Sequence, residues 1–178
     1  MTRRLLIALA AVALSLTAFV GATAGAPVQM FVTPLSAGEE PLEATHASHA
    51  RGAAIFQLNP AGTQLSYRLI ASNVDNVVQA HIHYPGAPGV NGPIIVWLHP
   101  SAPPALQGPT GPQDGVLATG TITASTFALT WPDKSMADLV AALRSGDAYV
   151  NVHTNDGVLP TNTGPGDFPG GEIRGQID

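Results

Sequence analysis

The chain has no cysteine. That excludes a disulfide framework, a thiolate metal ligand, a cysteine nucleophile and a lipid-modified cysteine. Positive charge is also scarce: seven Lys and Arg stand against twelve Asp and Glu, with no basic run. Nucleic acid and anionic membrane surfaces are therefore poor partners. Gly-x-Ser-x-Gly, His-Glu-x-x-His and a phosphate-binding glycine loop are all missing, so no motif points to hydrolysis. There is no internal repeat. Long apolar runs are absent as well, except at the very start.

That start reads as a leader. Met1-Thr2-Arg3-Arg4 is positive, Leu5 to Val20 is apolar apart from Ser15 and Thr17, and Ala22-Thr23-Ala24 fits the small-x-small cleavage pattern. The run is short for a spanning helix. The reading is a signal peptide over 1–24, cleaved after Ala24, and one mature domain over 25–178. The product is then exported, periplasmic or extracellular, with no membrane span after cleavage. Loss of Arg3 and Arg4 leaves five basic residues against twelve acidic ones, a net charge of −7 with His neutral. A mature chain of roughly 150 residues can bury about 70% of its surface, enough for one core without disulfides.

The body of the chain reads as short strands separated by turns rich in its 19 Gly and 16 Pro. Strands are predicted over 28–33, 52–58, 65–69, 77–84, 93–98, 116–123, 127–131, 150–153 and 172–177. Asn59-Pro60-Ala61-Gly62 has the chemistry of a hairpin turn, and Leu65, Tyr67 and Leu69 alternate with Ser66 and Arg68. Residues 99–115 and 155–170 are predicted as long surface loops. One helix is predicted at about 135–145, capped by Ser135 with Asp138 three residues on, striped by Met136, Leu139, Val140 and Leu143, and ended at Gly146. The fold class is all-β: an antiparallel immunoglobulin-like or Greek-key sandwich of about eight strands with one short helix.

Histidine is the sharp chemical signal. His81 and His83 flank Ile82 in a β-prone run, so both imidazoles share one strand face while Ile82 takes the other. Their Cα atoms would stand about 6.6 Å apart, close enough to share a metal ion. In Ala148 to Thr154, Val150 and Val152 read as the core side, which puts Tyr149, Asn151 and His153 on the opposite face. The three histidines are thus expected to turn outward, at a surface site suited to copper or zinc. The plainer alternative is that they hydrogen-bond loop backbone. His99 is a candidate additional ligand, or a solvated loop histidine. His46 and His49 sit in an acidic segment that reads as a linker. Glu172 and Arg174 share a face opposite Ile173, as an ion pair or loop brace, or with Glu172 behind a histidine N–H.

These motifs resemble the CHRD domain, named after chordin. The resemblance is carried by Ala80-His81-Ile82-His83, by Asn91-Gly92-Pro93-Ile94-Ile95-Val96, by Gly146 to Thr154 and by Gly171-Glu172-Ile173-Arg174-Gly175-Gln176-Ile177. Leu35 to Pro41 and Gly52-Ala53-Ala54 fit its start. It covers about 28–178. The resemblance implies an exported protein and an immunoglobulin-like sandwich distantly similar to copper–zinc superoxide dismutase, with no settled activity for the family. By that likeness His81 and His83 match a copper-binding pair, His153 a late ligand, and Arg174 an anion guide. The departures are the missing bridging histidine and zinc cluster, since His99 has only Asp114 near it in sequence, and the missing disulfide.

Two functions follow as expectations. One is a metal-binding protein at His81, His83 and His153, whose only enzymatic option is dismutase-like copper redox chemistry. The other is a non-catalytic interaction or adhesion module with a protein partner at the cell surface, in which those histidines are structural.

Overall fold

The computed structural model describes residues 28–41 and 48–178. The leader over 1–24, and His46 in the acidic segment, lie outside them. Among the described residues there are eight strands: β1 (Gln29–Ser36), β2 (Arg51–Leu58), β3 (Leu65–Asp75), β4 (Val77–His83), β5 (Ile94–His99), β6 (Pro112–Ile122), β7 (Ala148–Thr154) and β8 (Ile173–Ile177). They form one antiparallel sheet in the order β5-β4-β7-β8-β1-β2-β3-β6. The sheet curls until its ends nearly meet. Tyr67 Oη donates to the Leu98 carbonyl at 2.8 Å, tying β3 to β5 across the interior. The all-β, eight-stranded antiparallel expectation is met.

Local chemistry explains the elements. The β2–β3 hairpin turns where Asn59 Oδ1 accepts from the Thr63 and Gln64 amides, at 2.8 and 3.1 Å. Along β3, Leu65, Tyr67, Leu69 and Ala71 are buried and alternate with more exposed residues, as period-two burial requires. The one α-helix among the described residues, α1 (Met136–Arg144), begins at a reciprocal cap in which Ser135 Oγ accepts from the Asp138 amide and Asp138 accepts from the Ser135 amide. Its buried face carries Met136, Leu139, Val140 and Leu143. Among the described residues no helix is long and apolar enough to cross a membrane.

Two elements differ from the sequence reading. Residues 127–131 are not a strand. Period two would put Phe127, Leu129 and Trp131 on one face, but Leu129 is 99% exposed while Phe127 and Trp131 pack on the core. A turn closed by the Trp131 amide on the Ala128 carbonyl breaks the alternation. The segment instead covers the outer edge of β5, through the Val96–Phe127 bridge and the Ala128 amide on the Ile95 carbonyl. The second difference is that β6 starts earlier than 116. Strand β3 continues past a bulge to Asp75 and gives Gln113 and Pro112 partners in Val74 and Asp75.

Candidate metal centre

Strand β4 lies between β5 and β7, so its side chains have two faces only. Ile82 enters the core and His81 and His83 take the other face. The β4–β7 register sets His83 opposite Tyr149, His81 opposite Asn151 and Gln79 opposite His153. His153 is therefore a diagonal neighbour of His81, within reach of its ring.

This face is covered, contrary to the outward orientation expected from alternation. His81 is 0% exposed, and His83 and His153 are 7% exposed. Two loops form the cover. The first runs from β4 to β5 and is held by the Tyr84 amide on the Pro93 carbonyl and the Gly86 amide on the Asp147 carbonyl. The second, between β7 and β8, is held by the Thr154 amide on the Phe168 carbonyl. Alternation reports which side of a sheet a residue takes, and here both sides are dry.

One ring nitrogen from each of His81, His83 and His153 lies within 4.8 Å of the others. His83 Nδ1 donates to the Gly92 carbonyl at 2.8 Å, and His153 Nδ1 lies 2.9 Å from the Pro169 carbonyl. The His83 bond fixes its tautomer and leaves Nε2 as the lone-pair nitrogen. His153 has an acceptor at each ring nitrogen, the Pro169 carbonyl at Nδ1 and Asn151 Oδ1 3.0 Å from Nε2, and the neutral ring donates to one of them only. His81 Nδ1 is 3.3 Å from His153 Nε2. Two ligands of a tetrahedral metal with bonds of about 2.0–2.1 Å stand about 3.3–3.4 Å apart, so this pair already has the right separation. The Nε2 atoms of His81 and His83 are buried without a hydrogen-bond partner among the described residues.

The site holds its imidazoles neutral. Burial, then the neighbouring His153 and His83 rings, push His81 down to about 2. Burial pushes His153 down to about 4 against the bond to Pro169. Burial also lowers His83, again against its backbone bond. Neutral imidazole is the ligand form, so these donors fit copper or zinc and offer nothing to a hard oxygen-seeking cation.

The remaining candidates fall elsewhere. His99 ends β5 and lines a separate cleft with Gln113 and Asp114, outside the three-histidine group. Asp114 accepts from the Asn73 amide at 2.8 Å. His49 is exposed. The Glu172 carboxylate is buried and accepts from Ser48 Oγ at 2.5 Å, Thr154 Oγ1 at 2.7 Å and the Gly166 amide at 3.0 Å. Those bonds brace the second loop. Arg174 is 1% exposed and donates to the Ala87 and Val90 carbonyls at 3.1 Å, bracing the first.

Three neighbours of the site carry more than the sequence showed. The Tyr149 ring stacks on His83 at 4.7 Å and 3°, and the Trp97 ring meets His81 edge-on at 4.3 Å. Both sit opposite the histidines by strand pairing, a signal that requires the register. Glu40, buried near Asn151, lies in the Leu35–Pro41 stretch that fits the family's start, but its sequence reads as part of an acidic run and gives it no role.

The CHRD domain model matches residues 31–177. No curated protein and no solved structure gives a match.

Proposed function

The chain belongs to the CHRD domain family, and from that premise we propose that it is an exported metal-binding domain whose ligands are His81, His83 and His153. The observation that carries the reading is the convergence of one ring nitrogen from each of three neutral imidazoles within 4.8 Å, with backbone carbonyls beside two of the rings. Such carbonyl bonds are the usual outer support of metal-binding histidines. Imidazole suits zinc and copper, and the ordering of divalent affinities favours Cu(II). When bound, copper supplies one-electron redox chemistry and zinc a Lewis acid. Export rests on the leader read over 1–24; the secreted protein should begin at Gly25, which intact mass measurement checks.

The test is calorimetric titration of metal-stripped protein with Cu(II) and Zn(II), beside a His81/His83/His153→Ala triple variant. One-to-one binding in the parent that vanishes in a folded variant supports the reading. Equal weak binding in both would sink it.

A second reading has its own observation. The Nδ1 bonds of His83 and His153 also pin the two covering loops. If that is their whole role, the domain is a non-catalytic interaction module, and the triple variant unfolds with no metal to lose.

A further inference from the structure

Glu40 follows the 3₁₀ turn Ala37–Glu39 that leaves β1. It is 7% exposed, and neither carboxylate oxygen has a hydrogen-bond partner among the described residues. Burying a carboxylate without donors costs several kcal/mol or forces it to take a proton. Consistent with that, burial pushes this carboxyl up to about 7, against the pull of the Arg174 charge and the Asn151 amide.

Its surroundings show where it is aimed. The Gly171 backbone is so close that any Cβ there would overlap Glu40 Oε1. The obvious counter-ion is engaged elsewhere: the Arg174 nitrogens donate to the Gly86, Ala87 and Val90 carbonyls and to the Asn91 and Gln176 side chains. The remaining polar neighbour is Asn151, whose Oδ1 lies 3.0 Å from His153 Nε2 and whose side chain also faces His83. Carboxylate, amide and imidazole thus follow one another on the covered face. Three neutral imidazoles bring no negative charge to a dication held away from water. Two other carboxylates are buried among the described residues: Glu172 is engaged with Ser48, Thr154 and Gly166, and Asp167, in the loop between β7 and β8, accepts from the Thr163 amide and hydroxyl through Oδ2.

Resting on the metal-binding reading above, we propose that Glu40 is the anionic positioning residue of the histidine site, its charge acting across the Asn151 side chain to offset that of a bound divalent cation. Without metal its carboxylate is buried with no hydrogen-bond donor, facing only the Arg174 charge. With metal it becomes the counter-charge. The two states give opposite signs to one substitution, which a merely structural role would not.

The experiment is calorimetric titration with Zn(II) at about pH 8, where the carboxylate is ionised, on the parent, Glu40→Gln and Glu40→Asp, with thermal melts of each metal-free protein. Glu40→Gln should weaken Zn(II) binding about 10–100-fold, the usual effect of losing an outer-shell partner, and should raise the metal-free melting temperature. Glu40→Asp should recover part of the affinity. A Glu40→Gln protein that binds as tightly as the parent overturns the role of Glu40 alone. So does one that loses affinity and metal-free stability together, or an Asp variant no tighter than the Gln one. A parent that takes up no Zn(II) overturns both this role and the metal reading beneath it.

Discussion

The guanidinium carbon of Arg174 stands 3.4 Å from the centre of the Tyr149 ring. His83 lies parallel to the same ring and reaches it from β4, on the other side of β7 from the β8 residue Arg174. A candidate ligand, an aromatic plate and a buried cation are thereby stacked, with the cation also holding the loop that supplies the His83 carbonyl partner. A planar fork lies flat on the ring while its edge N–H groups reach the carbonyls; an ammonium is a point charge that cannot stack. Arg174→Lys should therefore destabilise the domain by about 1–3 kcal/mol, the cost of leaving buried carbonyls without donors, and weaken metal binding as well. Denaturant melts and metal titration on the same samples check it.

Trp97 offers an optical readout. Its ring meets His81 at 4.3 Å, while Trp131 packs with Tyr84 and Phe127. In a Trp131→Phe background, Cu(II) at His81 should quench the remaining indole emission with one-to-one stoichiometry. His81→Ala should abolish the quenching, and a chelator such as EDTA should reverse it. Quenching that survives His81→Ala would place the copper elsewhere.

Acid should weaken the metal-free domain. An unfolded histidine takes its proton near 6.5, whereas the folded His81 and His153 wait until about 2 and about 4, and His83 is lowered too. As pH falls below 6.5 the unfolded chain binds protons that the native one refuses, so stability is lost on acidification. Glu40 works in the opposite sense. Its native value of about 7 exceeds the ordinary 4.5, so its contribution is present below 4.5 and is lost as pH rises to 7. Three imidazoles outweigh one carboxyl, and urea midpoints should fall from about pH 7.5 through 6 to 5. The fall should be steeper in Glu40→Gln. Midpoints that do not move would show the rings are not held neutral.

Gly92 is a backbone position with no room for a side chain. A Cβ there would overlap the Pro85 carbonyl, and the Gly92 amide and carbonyl serve Tyr149 Oη and His83 Nδ1. Gly92→Ala should free the His83 ring and lower metal affinity more than it lowers global stability. Hydrogen exchange should then speed up in the 84–93 loop and little elsewhere.

What could be read without coordinates follows from which interactions are local. His81 and His83 on one face, Ile82 on the other and the Ser135 cap depend on neighbours within a few residues, and all are found. That His153 falls diagonal to His81 depends on β4 pairing with β7, some 70 residues away in sequence, and spacing only suggests it. Burial of the histidine face depends on loops whose path no periodicity encodes. Residues 127–131 carried the right residue types for a strand, and a turn at Ala128 to Trp131 overrode them. Glu40 was hidden most fully, because an acid next to Glu39 reads as solvated charge until the backbone of Gly171 and the Asn151 amide are seen around it.

Strands β1 and β8 are joined by one ladder pair among the described residues, Ser36 with Arg174, with Thr33 Oγ1 donating to the Gln176 carbonyl beside it. They are also the first and last strands, adjacent and antiparallel, so the chain enters and leaves toward the same end of this seam. Tension between the two ends would open such a seam one contact at a time, whereas pulling along a long ladder must break many bonds together. Held between two anchors, the domain is thus a soft link: it lengthens by parting β1 from β8 while the four strands β5-β4-β7-β8, which include the two that carry the site histidines, keep their own ladders.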